Sequence, residues 1–198
     1  DYILWDTDKG NLGYYGAYEY GILVFDVSDY FVNGENTFNI TKTGNCALYP
    51  STLVVLYNTT GSKTIKDVYF VDICDVLYNY YNKEYINLTN VYVPYNGINV
   101  TDLEDASWYV FAGSNEINDG NISFNGKVFD NIWTEGTSNS CYAYIANVTD
   151  VIGENNDAWY LTDLQKMSTV VVYEQILVVT RARELPTAEI TVKSEYTN

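Results

Sequence analysis

Short apolar runs recur along the chain between segments rich in Asn, Asp and Gly. The runs are rich in Val, Ile, Tyr and Phe, which suit a pleated, half-buried strand. Asn33-Gly34 and Asn125-Gly126 are typical of tight hairpin turns, because both residue types tolerate a positive φ. The pattern predicts strands at residues 21–27, 53–57, 68–71, 90–93, 108–111, 122–124, 141–145, 169–173 and 176–179.

The spacing of these runs predicts the architecture. Strands that recur every 8–12 residues or so are typical of an antiparallel sandwich or jelly roll. Two short helices are also predicted, one from the helical spacing of Ile73, Val76, Leu77 and Tyr80, and one at residues 162–167. The expected fold class is all-β, with two related antiparallel sandwich halves and one or two short helices.

An internal repeat divides the chain. Residues 26–29 read Asp-Val-Ser-Asp and residues 147–150 read Asn-Val-Thr-Asp, and each is followed by two apolar residues and then by Gly-Glu-Asn. An Asp or Asn with Ser or Thr can cap a one-turn segment that carries apolar anchors. Val27 and Val148 are therefore expected at equivalent buried positions. The predicted domains are a first sandwich at 1–98, which lacks early strands, a second at 99–185, and an extension at 186–198 that is either a donor strand or a linker.

These motifs also carry a family resemblance. The two Asp/Asn-Val-Ser/Thr-Asp segments, and the Asn125-Gly126-Lys127 turn ahead of the second, resemble galactose-binding-like jelly rolls. The tandem arrangement is similar to a domain of unknown function in methanogen surface and adhesin-like proteins. The resemblance implies an extracellular archaeal cell-surface protein, and jelly rolls of this type often hold a structural Ca²⁺.

Charge and composition exclude several functions. The chain has 10 Lys and Arg against 26 Asp and Glu, a net charge of −16, and no His. Nucleic acids and anionic lipids need clustered basic residues, so neither is an expected partner. Without His, hydrolases that use a His base are excluded. No motif identifies one pair of acidic residues as the catalytic pair of a glycosidase. No apolar run is long enough to span a membrane. An enzyme is not expected.

Modification and metal sites are candidates in several turns. Three cysteines occur, and Cys46 and Cys74 can form a disulfide, with free buried thiols as the alternative. Clusters of oxygen ligands suit Ca²⁺, with solvated turns as the alternative. The candidate calcium ligands are Asp6, Asp8, Glu116 and Asp119, and no other cofactor is expected. The candidate N-glycosylation sites, which indicate a glycoprotein, are Asn39, Asn58, Asn87, Asn99, Asn121 and Asn147.

Two functions remain open from the sequence. The period-two pattern of Ala188, Ile190 and Val192 predicts a strand after the second sandwich. This strand, or the apolar segment Tyr2, Ile3, Leu4 and Trp5, is predicted to insert into a neighbouring subunit and build a filament. The alternative is a carbohydrate-binding module that recognises glycans through Tyr or Trp. The Tyr/Gly-rich segment at 13–20 is a candidate sugar-stacking surface or subunit interface, and Tyr78, Tyr80 and Tyr81 form a second aromatic cluster.

Overall fold

The computed structural model describes residues 1–6, 20–46, 48–49, 51–79, 90–113, 120–133, 141–161 and 168–183. Within these ranges the protein contains strands and turns but no helix, so the predicted all-β class is confirmed. The strands are β1 (Tyr2–Trp5), β2 (Gly21–Val24), β3 (Thr64–Asn79), β4 (Asn90–Asn96), β5 (Leu103–Gly113), β6 (Asn121–Phe124), β7 (Lys127–Phe129), β8 (Cys141–Asn147), β9 (Asn155–Leu161) and β10 (Ser168–Ala182).

Eight of the strands form two antiparallel four-stranded sheets. The first sheet has the order β3-β10-β5-β8 and the second has the order β4-β9-β6-β7. Consecutive strands lie in opposite sheets, except β6 and β7, which pair as a hairpin. The hairpin turns at Asn125 and Gly126 with φ of 48° and 81°, as the Asn-Gly dipeptide predicts. This strand order is that of a jelly roll.

The two sheets enclose one hydrophobic core. Alternation places one face of each strand inside, as in β4, where Val91, Val93 and Tyr95 are buried and the residues between them are exposed. The rings of Trp108 on β5 and Phe124 on β6 lie 5.4 Å apart between centroids and join the two sheets.

Several elements differ between the prediction and the structure. The segment predicted as a helix from Ile73 lies in β3 up to Asn79. Leu77 belongs to the core and Val76 is buried on the opposite face, and a strand buried on both faces loses the alternation that identifies strands. Residues 53–57 form no strand. Strand β9 begins with Asn155-Asn156-Asp157 and was not predicted from its polar sequence.

The sheets take strands from both sides of residue 98. Strand β3 pairs with β10, and β4 pairs with β9, although the prediction gave β3 and β4 to the first half of the chain. The roll therefore starts at Thr64 and takes two of its eight strands from the predicted first half. A related sandwich ahead of β3 stays a prediction.

A small N-terminal hairpin lies against the first sheet. Strands β1 and β2 pair antiparallel as a separate two-stranded sheet. The hydroxyl of Tyr2 donates a hydrogen bond to the carboxylate of Asp72 on β3. Oδ2 of Asp6, just after β1, accepts a hydrogen bond from the backbone N–H of Val76 at 2.8 Å. The N-terminal part of the chain thus covers some of the outer side of this sheet.

Candidate functional site

The repeated motif forms the same capped turn in both places. After β8, Oδ1 of Asn147 accepts a hydrogen bond from the backbone N–H of Thr149 at 3.1 Å. The backbone N–H groups of Val151 and Ile152 then donate to the carbonyl oxygen of Val148, at 3.0 and 2.9 Å. The sequence resemblance between the two copies therefore has a structural basis in these backbone hydrogen bonds, which the first copy repeats.

In the first copy, Oδ1 of Asp26 accepts a hydrogen bond from the backbone N–H of Ser28 at 3.0 Å. A hydrogen bond from the Ser28 side chain, together with this backbone bond, holds the pKa of Asp26 below its usual value. The backbone N–H groups of Tyr30 and Phe31 donate to the carbonyl oxygen of Val27, both at 3.0 Å. Each bond from a backbone N–H has its counterpart after β8.

An asparagine closes the loop that follows each turn. Oδ1 of Asn156 accepts from the backbone N–H of Gly153 at 2.7 Å, and Nδ2 donates to the carbonyl oxygen of the same glycine at 2.8 Å. Asn36 makes the equivalent pair of bonds with Val32, at 2.9 and 2.8 Å. The structural counterpart of Asn36 is therefore Asn156, and the first loop is one residue longer.

The two copies differ in burial. Val148 is fully buried and Ile152 packs against the core. Val27 is only half-buried, and Phe31 keeps 39% of its surface exposed. The expectation of equivalent buried positions is therefore wrong for the first copy. The first copy has the same backbone conformation, but no sandwich of described strands covers it.

The β6–β7 hairpin supports the second copy only. Nζ of Lys127 donates to Oδ1 of Asp150 at 2.6 Å and to the carbonyl oxygen of Asn147 at 3.1 Å. The ammonium group lowers the pKa of Asp150. Nδ2 of Asn125 donates to the carbonyl oxygen of Val151 at 2.8 Å. The Asn-Gly-Lys motif and the capped turn thus meet in space.

Exposed apolar side chains are concentrated before β3. Among the described residues, most of the large exposed apolar side chains lie between positions 2 and 57. They include Tyr2, Ile3, Trp5, Leu23, Phe25, Tyr30, Val32, Phe38, Ile40, Leu48, Leu53, Val54, Val55, Leu56 and Tyr57. Leu4, the remaining residue of the predicted N-terminal donor, is half-buried, and β1 as a whole pairs with β2 of its own chain.

Glu174 marks an irregularity in β10 near this N-terminal part. Its φ is 30°, and the register of β10 against both neighbouring strands shifts between Tyr173 and Gln175. Burial raises the pKa of Glu174, and the nearby carboxylate of Asp72 raises it further. The hydrogen bond from Tyr2 to Asp72 also raises the pKa of the Tyr2 phenol. A half-buried acid thus lies beside the N-terminal hairpin.

The outer face of the sheet β4-β9-β6-β7 carries an aromatic pair. The rings of Tyr92 and Trp159 lie side by side in register, with centroids 4.6 Å apart and planes inclined by 38°. The Tyr92 hydroxyl donates to Oδ1 of Asp157 at 2.6 Å, which raises the pKa of the phenol. None of these three was predicted as a site residue. The available signal was Tyr92, an aromatic residue on the polar face of an alternating strand.

The candidate glycosylation sites differ in exposure and in hydrogen bonding. Asn39 and Asn58 are exposed and lie outside strands, whereas Asn121 is half-buried at the start of β6. Asn99 and Asn147 are exposed, but each accepts a hydrogen bond from the backbone N–H two residues later, at 3.0 and 3.1 Å. Asn87 lies outside the described residues.

The cysteine candidates Cys46 and Cys74 are not brought together, and Asp6 is the one calcium candidate that lies among the described residues. Cys46 and Cys74 are free thiols here, with Cys46 exposed and Cys74 half-buried, so the predicted disulfide is not formed. Burial raises the pKa of Cys141, the third free thiol. Asp6 binds the backbone of β3 as described above. In the ranges that the structure describes, no group of three or more His, Cys, Asp or Glu side chains could hold a metal ion.

Several other candidates fall outside the described residues. They are the calcium candidates Asp8, Glu116 and Asp119, the tyrosines at 14, 15, 18, 80 and 81, and the donor-strand residues Ala188, Ile190 and Val192. The helix predicted at 162–167 also lies there. The backbone of Tyr78 lies in β3. No helix among the described residues is long and apolar enough to cross a membrane.

The strand order defines the class of the protein, a jelly-roll β-sandwich. A family model described as "Protein of unknown function (DUF3344)" matches residues 4–180, and the chain belongs to this family. No curated protein matches the sequence.

Two solved structures of the Tobacco streak virus coat protein are similar in part. One, of the coat protein dimer, has a TM-score of 0.28 and 9% identity, and the match covers 64% of this chain and 93% of that chain. The other has a TM-score of 0.29 and 9% identity, with 69% and 99% covered. Likenesses this distant say nothing about the function of this chain.

Proposed function

We propose that this protein is a structural subunit of an extracellular archaeal surface filament or adhesin, in which copies associate by strand exchange. The observation that carries the proposal is the exposed apolar surface before β3. A soluble monomer rarely exposes contiguous apolar patches, and larger ones mark interaction sites. The proposal includes no catalytic activity.

Residues 53–57 fit the role of the exchanged strand best. Leu53, Val54, Val55, Leu56 and Tyr57 are all exposed and have no strand partner among the described residues. In the repeat, each Gly-Glu-Asn is followed about twenty residues later by an apolar run, 53–57 in the first copy and 176–179 in the second, and the second run lies in β10, which is paired on both sides. The N-terminal candidate Tyr2–Trp5 already pairs with β2. The C-terminal candidate at 187–194 remains a second proposed donor.

Strand β8 is the acceptor that these contacts favour. It is an edge strand of seven residues, and Ile145 on it is 56% exposed. The other long edge, β3, has its Val76 N–H capped by Asp6. Strand β4 carries Pro94, which protects an edge from pairing. A donor and an acceptor on different surfaces make a contact that does not close on itself, so it propagates as a fibre.

Measuring the oligomeric state tests this proposal. We expect the full chain to form polymers visible by light scattering and negative-stain microscopy. Leu56→Lys, at a residue 65% exposed, and Ile145→Lys should each abolish them, because a charge would enter the new strand pair. Val128→Lys on β7, at a residue 52% exposed, is the matched control and should leave assembly intact. A monodisperse monomer at high concentration would contradict the proposal.

A further inference from the structure

The aromatic pair Tyr92 and Trp159 lies apart from the proposed assembly surface. The N-terminal hairpin contacts the sheet that contains β3, whereas this pair is on the outer face of the opposite sheet. Tyr92 is 44% exposed and Trp159 is half-buried, and neither belongs to the core. Two aromatic rings held together on a solvent face call for an explanation other than the packing of the roll.

Register places polar groups on both sides of the pair. Asp157 lies two residues before Trp159 on β9, and it is held by Tyr92. At the other end of the aromatic pair, Asn90 on β4 and Asn121 on β6 both lie opposite Leu161 of β9, and both are on this face. Because i and i+2 point to the same side of a strand, a carboxylate flanks the rings at one end and two amides flank them at the other.

The hydrogen bond between Tyr92 and Asp157 orients the site. It is a short bond of 2.6 Å between a phenol and an ionised acceptor, the stronger kind of hydrogen bond. It limits rotation of the phenol ring, so less freedom is lost when a ligand stacks on it. A carboxylate has further acceptor positions beyond this one. The Asp157 carboxylate can therefore accept from a ligand hydroxyl as well.

We propose that this face binds a neutral glycan. A pyranose ring presents an apolar C–H face, which can stack on Tyr92 and Trp159, and a rim of hydroxyls, which can bond to Asp157, Asn90 and Asn121. Aromatic side chains with a few placed polar groups are what such ligands require. The net charge of −16 and the carboxylate at the site repel anionic glycans.

The size of the patch favours a glycan over a protein. A stable protein interface buries about 800 Å² on each partner and has an apolar centre. Here the two rings have Ser123 and Val128 beside them across the sheet, and the next positions on this face are Pro94 and Asp157 at one end and Asn90, Leu161 and Asn121 at the other. The inference does not rest on self-association.

Binding to defined oligosaccharides tests the proposal. The full chain, expressed without glycosylation so that Asn121 keeps a bare amide, is titrated with cellohexaose, mannohexaose, galactohexaose and chitohexaose. Calorimetry and tryptophan fluorescence follow binding. We expect at least one to bind, and Tyr92→Ala to weaken it about tenfold, the loss of one stacking contact. Trp159→Ala should weaken it at least as much. Tyr92→Phe and Asp157→Asn should show smaller losses, because both rings remain.

Two variants serve as controls. Tyr30→Ala removes a more exposed tyrosine elsewhere, and Trp5→Ala removes an exposed indole from the fluorescence signal. Both should bind as the original chain does. Absence of binding to all four sugars would overturn the proposal, and so would unchanged binding by folded Tyr92→Ala. Because assembly is scored with Leu56→Lys and Ile145→Lys, failure here leaves the filament proposal standing, and the reverse also holds.

Discussion

The indole Nε1 of Trp108 donates a hydrogen bond to Oε1 of Gln175 at 3.1 Å, and both side chains are fully buried. Trp108 lies on β5 and Gln175 on β10, next to the point where the register of β10 shifts. A buried polar side chain is costly unless it is paired. This bond therefore compensates for the burial of the Gln175 amide oxygen, whereas Nε2 of the same amide is buried without a partner among the described residues.

Trp108→Phe is expected to lower the free energy of unfolding by about 2–4 kcal/mol, because it leaves a cavity and an unpaired amide oxygen. Urea denaturation followed by circular dichroism measures the change. Trp5→Phe is the matched control on an exposed strand and should stay within about 0.5 kcal/mol. Equal effects of the two substitutions would contradict the assigned role of the bond.

Asn156→Ala is expected to cost about 2–3 kcal/mol, because it breaks the bonds to both backbone groups of Gly153 and to Nδ2 of Asn125 in a buried site. Asn36→Ala breaks the equivalent bonds in an exposed loop and should cost less than about 1 kcal/mol. Thermal unfolding of the two variants compares them directly. A larger loss for Asn36→Ala would mean that the first copy is the better packed of the two.

Glu174→Gln is expected to stabilise the protein at pH 7. The pKa of Glu174 is raised in the folded state, so its stabilising contribution is complete below the unfolded pKa and is lost as pH rises through the folded pKa. The gain at pH 7 should be below about 1 kcal/mol, since water screens a half-exposed group. It should vanish as pH falls below the ordinary pKa of Glu. Urea midpoints at several pH values test this, and a gain that grows in acid would refute it.

Glycan occupancy is expected to be higher at Asn58 than at Asn147. The amide of Asn58 is exposed, whereas Nδ2 of Asn147 donates to Oδ1 of Asp105 at 3.2 Å and its Oδ1 accepts from Thr149. A sugar on Asn147 would compete with these bonds. Glycopeptide mass spectrometry of native material measures both sites. Bare peptides at every candidate site would remove the glycoprotein prediction.

The sequence predicted most strands because their turns and alternation are local signals. The glycines at 34, 97, 120 and 126 all have positive φ, as the turn dipeptides require. Strand β9 was not predicted, because its buried Asn156 makes hydrogen bonds to groups distant in sequence, such as the carbonyl oxygen of Tyr95. The polarity of neighbouring residues in the sequence does not reveal such distant hydrogen-bond partners.

The same limit applies to the site. Tyr92 and Trp159 become neighbours only through the register of β4 and β9, which a single sequence does not display. The repeat, in contrast, was visible, because its capped turn depends on bonds within a few residues. Its first copy could not be placed correctly, because burial depends on strands that come from elsewhere in the chain.

The central position of β10 has a consequence for the order of folding. This strand pairs with β3 and β5 at once and, among the described strands, is the last in sequence and so the last to be synthesised. During translation β3 and β5 must therefore wait, unpaired with each other, until residues 168–182 leave the ribosome. Contacts so far apart in sequence slow folding. Nascent chains of this protein should therefore depend on factors that cover unpaired strands until residues 168–182 have been synthesised.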